Sequence, residues 1–142
     1  MNVKRAKFRR AHRGTSVVEL AVAMTLLLYV VLGAVEYGFM FLKQEQLTNA
    51  ARQGARLAAT PDATAAAVSS QIDTLMTAYG MPKATYNYTT TLTPSNIQPG
   101  TGNTLTVQIS VNYKNNLAIV NSSLCPIPTT LKASVTMEKE GP

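Results

Sequence analysis

An unbroken apolar segment, residues 17–42 with the sequence VVELAVAMTLLLYVVLGAVEYGFMFL, is the strongest constraint on how this chain can fold. As a helix rising about 1.5 Å per residue, it can cross the roughly 30 Å hydrocarbon core of a bilayer with some tilt. A cleaved secretory signal would have a shorter apolar region, about 7–15 residues, closed by a small-x-small site. No Ala-x-Ala site closes this segment. We therefore predict a membrane anchor that stays attached to the chain.

The excess positive charge of the chain, a net +6, lies entirely before this segment. Residues 1–14 hold six basic side chains and no acidic one, whereas the rest of the chain holds seven basic and seven acidic side chains. A nucleic-acid-binding surface needs basic residues clustered on a fold, so this distribution argues against nucleic acid as a partner. The positive-inside rule instead predicts that the N-terminus is cytoplasmic and that the chain after about residue 43 is exported.

Two carboxylates, Glu19 and Glu36, lie within the apolar segment. An ionised side chain deep in hydrocarbon costs roughly 2.5–3.5 kcal/mol on insertion scales. Three aromatic residues follow Glu36 within five positions; they are typical of an interfacial belt, so Glu36 could lie solvated at the membrane surface. That interpretation fits Glu19 less well, because Glu19 comes five residues after Gly14, directly behind the basic leader.

The stretch RGTSVVE, residues 13–19, resembles the cleavage site of class III signal peptides, found in type IV prepilins and pseudopilins. The resemblance implies that a prepilin peptidase cuts between Gly14 and Thr15 on the cytoplasmic side and leaves the apolar helix attached. In that family the new α-amine is usually methylated, and Glu19 becomes the fifth residue of the mature chain. An α-amine is cationic near neutral pH. We hypothesise that Glu19 pairs with the amine of a neighbouring subunit, which offsets the cost of burying the carboxylate.

The segments VEYGFMF (35–41) and LTNAARQGARLAA (47–59) are similar to those that follow the apolar helix in the TadE-like family, minor pseudopilins of the tight-adherence (Flp) pilus system. The C-terminal layout, ending in SVTMEKE (134–140), is similar more loosely, and the loop after Lys114 is less proline-rich than in that family. The resemblance implies a structural subunit that takes part in pilus biogenesis, adhesion or biofilm formation. Its implied partners are prepilin peptidase, other pilin and pseudopilin subunits, the inner-membrane assembly platform and the lipid bilayer, and Glu36 is a candidate second assembly site.

Helical periodicity continues beyond the anchor. No proline interrupts residues 15–60, which predicts one helix that forms both the transmembrane span and a stalk. Small residues on one face of its outer part would let either the chain's own sheet or a neighbouring subunit approach closely. A second, amphipathic helix is predicted to start at Pro61, with Thr60 as its cap, and to end at Gly80.

After this helix the period of the apolar residues changes to two. Residues 84–93, 104–114 and 130–137 each alternate between apolar and polar side chains, which predicts three half-buried strands in an antiparallel meander. The predicted fold is therefore α+β. Its predicted parts are a cleaved leader (1–14), a transmembrane and stalk helix (15–60) and an exported headgroup (61–142).

Few residues of the chain are suited to catalysis. The one histidine, His12, lies in the leader, and the one cysteine is Cys125. A processed chain would therefore lack His-based triads and His/Cys metal clusters. We expect no enzymatic activity, no metal and no cofactor. Cys125 is expected to be a buried thiol, or alternatively to form an intermolecular disulfide.

The expected location is the inner membrane, crossed once, with the C-terminal domain in the periplasm or in an extracellular pilus. Two alternative functions stay open at the level of the sequence. The chain could be a single-pass inner-membrane protein with an exported binding domain, whose Gly14 and Glu19 match the processing pattern by chance. It could also be a pseudopilin of a type II secretion system.

Overall fold

The structure, a computed structural model, describes residues 12–95, 97, 104–119 and 126–139. Cys125 and most of the leader lie outside these ranges, so the predictions made for them stay predictions. The same holds for most of the loop 94–103, for residues 120–124 and for the end of the chain after Lys139.

Helix α1 (His12–Ala59) is a single 48-residue helix that contains both the apolar segment and the predicted stalk. Every residue from Gly14 to Val31 is exposed, and buried positions begin only further along the helix. By length and composition, Gly14–Ala59 is long and apolar enough to cross a membrane. A bare apolar helix is expected where the surrounding solvent is lipid, so α1 has the properties of a single-pass anchor.

The second helix, α2 (Ala65–Ala78), starts four residues later than the sequence predicted. Its cap is Thr64, whose hydroxyl accepts a hydrogen bond from the N–H of Ala67 (3.2 Å). The predicted cap, Thr60, instead donates its hydroxyl to the carbonyl of Leu57 (2.7 Å). The prediction was wrong because two threonines offer the same local signal, and the first of them closes α1. Its predicted end at Gly80, which has a φ of +73°, agrees with the structure.

The remaining elements are two short helices and three strands: α3 (Lys83–Tyr86), β1 (Thr89–Thr93), β2 (Thr104–Asn112), α4 (Tyr113–Asn116) and β3 (Thr130–Glu138). The strands form one antiparallel sheet in the order β1-β2-β3. This arrangement confirms the α+β fold and the three-stranded meander. The outer face of the sheet is polar, and the hydroxyls of Thr106 and Thr136 lie 2.8 Å apart across β2 and β3.

Two predicted strand boundaries were wrong. The first strand was predicted from residue 84, but residues 83–86 form a helical turn, because the carbonyl of Pro82 accepts from two N–H groups in that turn. Asn87 then ends the turn in the left-handed conformation (φ 43°). The second strand ends at Asn112, two residues before the predicted end, because the Asn112 side chain caps α4 by accepting from the N–H of Asn115 (3.1 Å).

The core lies between the outer half of α1, α2 and the inner face of the sheet. The small-residue face of α1 is used by the chain itself, since its members are fully buried: Leu47, Ala50, Ala51, Ala55 and Ala58. Facing residues from α2 and β2 are also fully buried: Val68, Ile72, Met76, Val107 and Ile109. Alanines let the helix backbone approach the sheet closely, so the part of the chain after α1, here called the C-terminal domain, packs directly along the outer half of α1.

Helices α1 and α2 approach closely at Gly54, which predicts how a methyl group added there changes the stability of the protein. A Cβ at Gly54 would lie 2.7 Å from Cδ1 of the fully buried Ile72, whereas a Cβ at Gly38 would meet nothing within 4 Å. Replacing either glycine with alanine gains about 0.8–1 kcal/mol of helix propensity. Only Gly54→Ala also overpacks the core, at a cost of about 1–3 kcal/mol.

We therefore expect Gly54→Ala to be less stable than Gly38→Ala by about 1–3 kcal/mol. The measurement is chemical denaturation of the full-length variants in detergent micelles. Equal stabilities would contradict the close packing of the two helices.

Candidate anchoring and assembly site

The predicted cleavage bond, Gly14–Thr15, lies in the first turn of α1. Both residues are exposed, and a Cβ at Gly14 would meet no atom within 4 Å. The first N–H groups of a helix have no intrahelical partner, and glycine is a poor helix former. Unwinding this turn therefore costs little, and nothing in the described chain shields the bond from a peptidase.

Glu19 lies one turn after Thr15 on the same face of α1, and its side chain is exposed. Among the described residues, no basic group lies within the 4.0 Å that defines an ion pair with Glu19. A carboxylate at this depth of an anchor needs a partner or access to water. The geometry therefore leaves Glu19 available to a cation from outside the described chain, and its pairing with a neighbouring subunit stays a prediction.

Glu36 is in a different situation, because it is completely buried against the C-terminal domain (0% exposed). Its Oε1 accepts a hydrogen bond from the hydroxyl of Tyr113 (2.7 Å), and its Oε2 accepts one from the N–H of Ile119 (3.0 Å). Hydrogen bonds to an ionised acceptor are among the strongest in proteins. Glu36 is therefore not a solvated residue of the membrane surface but the centre of a buried contact, here called the Glu36 site (Glu36, Tyr113 and Ile119).

Tyr113 is placed at this site by the junction of β2 and α4. Its N–H donates to the carbonyl of Thr129 (2.9 Å), which holds the start of α4 against the segment before β3. Burial raises the pKa of Tyr113 well above its usual value, and the hydrogen bond to Glu36 raises it further. The phenol therefore stays protonated at physiological pH and remains a donor to the carboxylate.

Further contacts extend this attachment along α1. The hydroxyl of Tyr37 donates to the carbonyl of Pro126 (2.7 Å), and the Gln44 amide donates to the carbonyl of Lys132 (2.9 Å). Lys43 donates to the carbonyl of Tyr79 (3.2 Å). These bonds join α1 to three separate parts of the C-terminal domain.

Lys43 is itself almost fully buried, at 8% exposed. Its ammonium lies 5.3 Å from the centre of the Phe39 ring, within the range of a cation–π interaction. Burial lowers the pKa of Lys43. One buried polar side chain, Glu36, therefore lies in the last turns of the apolar segment and a second, Lys43, directly follows it, and each is bonded to the C-terminal domain.

The sequence did not indicate that Tyr113 is the partner of Glu36. Alternation correctly predicted that Tyr113 faces the same side as the inward residues of β2, but no local pattern connects it to a residue 77 positions earlier. A physical signal was nevertheless present. A buried tyrosine hydroxyl needs an acceptor and a buried carboxylate needs donors, so the two unexplained polar groups could have been paired on that ground.

A second polar cluster lies on α2 and the segment before β1. The hydroxyl of Tyr88 donates to Oδ1 of Asp73 (2.7 Å), and Nζ of Lys83 lies 3.9 Å from the same oxygen. These bonds hold α2 against the start of β1. Within the described ranges, no group of three or more His, Cys, Asp or Glu side chains could hold a metal ion.

The model of the TadE-like protein family matches residues 14–56. The match begins at the predicted cleavage junction and includes Glu19, Glu36 and most of the small-residue face of α1, so this part of the chain is similar to TadE-like proteins. The predicted resemblance is confirmed over these residues, whereas the looser likeness of residues 104–140 lies outside the match. Searches of curated proteins and of solved structures gave no significant match.

The Glu36 site predicts unequal effects for two tyrosine-to-phenylalanine substitutions. Tyr113→Phe removes a donor from a buried carboxylate, and we expect a loss of about 1.5–3 kcal/mol in the free energy of unfolding. Tyr37→Phe removes an exposed hydrogen bond that water can replace, so its loss should stay near the lower end of about 0.5–1.5 kcal/mol. Denaturant titration of both full-length variants in micelles measures the difference. A Tyr113→Phe loss no larger than that of Tyr37→Phe would mean that other groups hold Glu36 in place.

Proposed function

We propose that this chain is a minor pilin or pseudopilin, a structural subunit of a tight-adherence (Flp-type) pilus. The observation that carries the proposal is the coincidence of the TadE-like match (residues 14–56) with a helix of two unlike halves. The first half is apolar and bare, and the second half is buried in an α+β domain. A subunit of a fibre that starts in a membrane needs both halves. The apolar half holds the subunit in the lipid before assembly, and the other half carries the domain that lies outside the membrane.

In this proposal α1 crosses the inner membrane once, with the basic leader in the cytoplasm and the exported domain in the periplasm. The distribution of charge supports this orientation, because all of the excess basic residues precede Gly14. The partners of the subunit are other pilin and pseudopilin subunits and the inner-membrane assembly platform. The subunit contributes to pilus biogenesis, adhesion or biofilm formation through its structure, and we assign no catalytic step to it.

The exposed first turn of α1 supports processing by prepilin peptidase between Gly14 and Thr15. Cleavage removes the basic leader, which otherwise holds the N-terminus at the cytoplasmic surface. It also creates an α-amine one helical turn from Glu19. The mature N-terminus then carries one cation and one anion, and parallel neighbouring helices can pair them between subunits.

Processing is tested by the intact mass of the chain produced with an active prepilin peptidase. We expect the wild-type chain to lose its first 14 residues and Gly14→Leu to keep them, because a bulky side chain stands directly before the bond. Gly38→Leu is the matched control, since this glycine also lies on α1 in open space and its variant should be cut normally. A wild-type chain that stays uncut beside an active peptidase would contradict the proposed processing and favour a plain single-pass membrane protein.

The role of Glu19 is tested by its replacement with alanine. We expect Glu19→Ala to be inserted and cleaved normally, but to be recovered with other pilin subunits about tenfold less, the equivalent of about 1.4 kcal/mol. Glu45→Ala, which changes an exposed glutamate of the same helix outside the apolar segment, should be recovered like the wild type. Recovery is measured by co-purification after cross-linking in membranes. If both variants are recovered equally well, Glu19 does not pair with a neighbour.

A further inference from the structure

The bare part of α1 has the length of a bilayer core. Residues 15–35 form 21 helical positions, or about 31 Å at 1.5 Å per residue. The hydrocarbon core is about 30 Å thick. With Arg13 at the inner surface, the outer boundary of the hydrocarbon therefore falls close to Glu36, where α1 first becomes fully buried in the exported domain.

The burial of α1 begins slightly below this level. Leu32 and Gly33 lie one turn before Glu36 on the same face of α1, and both are half-buried, whereas all residues from Gly14 to Val31 are exposed. Both belong to the apolar segment. Burial of α1 therefore begins within the last turn of the membrane-spanning part.

Ile119 lies at this base, because its N–H is held by Oε2 of Glu36 at 3.0 Å. Its side chain is nevertheless 58% exposed. Leu117 is buried and Ala118 is half-buried, so the segment is packed and Ile119 alone turns outward. Among the described residues outside α1, Ile119 is the one large apolar side chain that is exposed.

The polar residues beside Ile119 suit a membrane surface. Lys114, Asn115 and Asn116 are exposed on α4, and residues 113–119 include no acidic side chain. A lysine at this level can bury its stem and place its ammonium among lipid phosphates. An isoleucine next to such a group can enter the boundary between head groups and acyl chains.

We propose that the segment 117–119 rests on the outer surface of the bilayer and inserts Ile119 into the lipid. This contact is a second attachment to the membrane besides α1, and it rests on the anchor proposed above. Its position is fixed by Glu36, which accepts a hydrogen bond from the N–H of Ile119 at the level where α1 leaves the hydrocarbon. A lipid partner is favoured over a second subunit because Ile119 lies at the level that lipid surrounds on all free sides of α1.

The test places nitroxide labels on the full-length chain, reconstituted in phospholipid vesicles with Cys125→Ser as background. The test label is attached at Ile119→Cys. Met24→Cys is the control within the span, and Thr91→Cys is the control on the polar face of the sheet. Oxygen concentrates in lipid, whereas a nickel chelate stays in water. The ratio of a label's collision rate with oxygen to its collision rate with the chelate therefore measures how deep the label lies in the bilayer. We expect the highest ratio at 24, a ratio at 119 several-fold above that at 91, and an intermediate ratio for Lys114→Cys.

The outcomes separate the two proposals. A label at 24 that is in lipid, with labels at 119 and 114 as aqueous as the one at 91, would overturn the lipid contact and leave the anchor intact. A label at 24 that is itself aqueous would instead refute the anchor. If the ratio at 119 falls to that at 91 when the chain is diluted in lipid, the partner is a second copy of the chain and the proposed lipid contact is wrong. Circular dichroism of each labelled chain confirms that the fold is retained.

Discussion

The hydrogen bonds around the buried carboxylate of Glu36 are the interaction on which the rest of the structure depends. A buried charge is tolerated only when its oxygens are bonded, and the donors here come from Tyr113 and Ile119, beyond the second strand. The requirement fixes one end of the sheet at one level of α1. The alanine face further along the helix adds buried area, but apolar contact has little direction. The directional hydrogen bonds to this one carboxylate therefore fix the position of the sheet along α1, which apolar packing alone would not determine.

Helix α1 meets two solvents, and its composition changes where the solvent changes. Before Glu36 the side chains are large, apolar and exposed, which is stable only in lipid. After Lys43 the buried face consists mostly of small residues, which allow the sheet and α2 to approach the helix backbone. Glu36 and Lys43 lie between these regions, and both form hydrogen bonds with the C-terminal domain. The change in composition and the polar contacts thus mark the same boundary.

The sequence predicted those parts of the fold that depend on local patterns. The long helix, the amphipathic stripe of α2 and the alternation of β2 and β3 are all repeated along the chain, so each is visible without tertiary information. Errors occurred where two local signals competed, as for Thr60 and Thr64. They also occurred where a turn interrupted a strand-like composition, as at Asn87. No local pattern predicted the contact of Glu36 with Tyr113, because it depends on how the sheet is placed against the helix.

The continuity of α1 has a mechanical consequence. The helix has no proline and no break between His12 and Ala59, so at 1.5 Å per residue it is a rod of about 72 Å. A helix resists stretching and compression along its axis far better than a chain with a hinge. A displacement of the N-terminal end of α1 along its axis is therefore carried to the C-terminal domain as a rigid-body movement. A force that pulls on α1 is transmitted to the C-terminal domain by the hydrogen bonds of Glu36 and by the packing of the alanine face further along the helix. Withdrawal of the helix from the lipid therefore moves the domain with it.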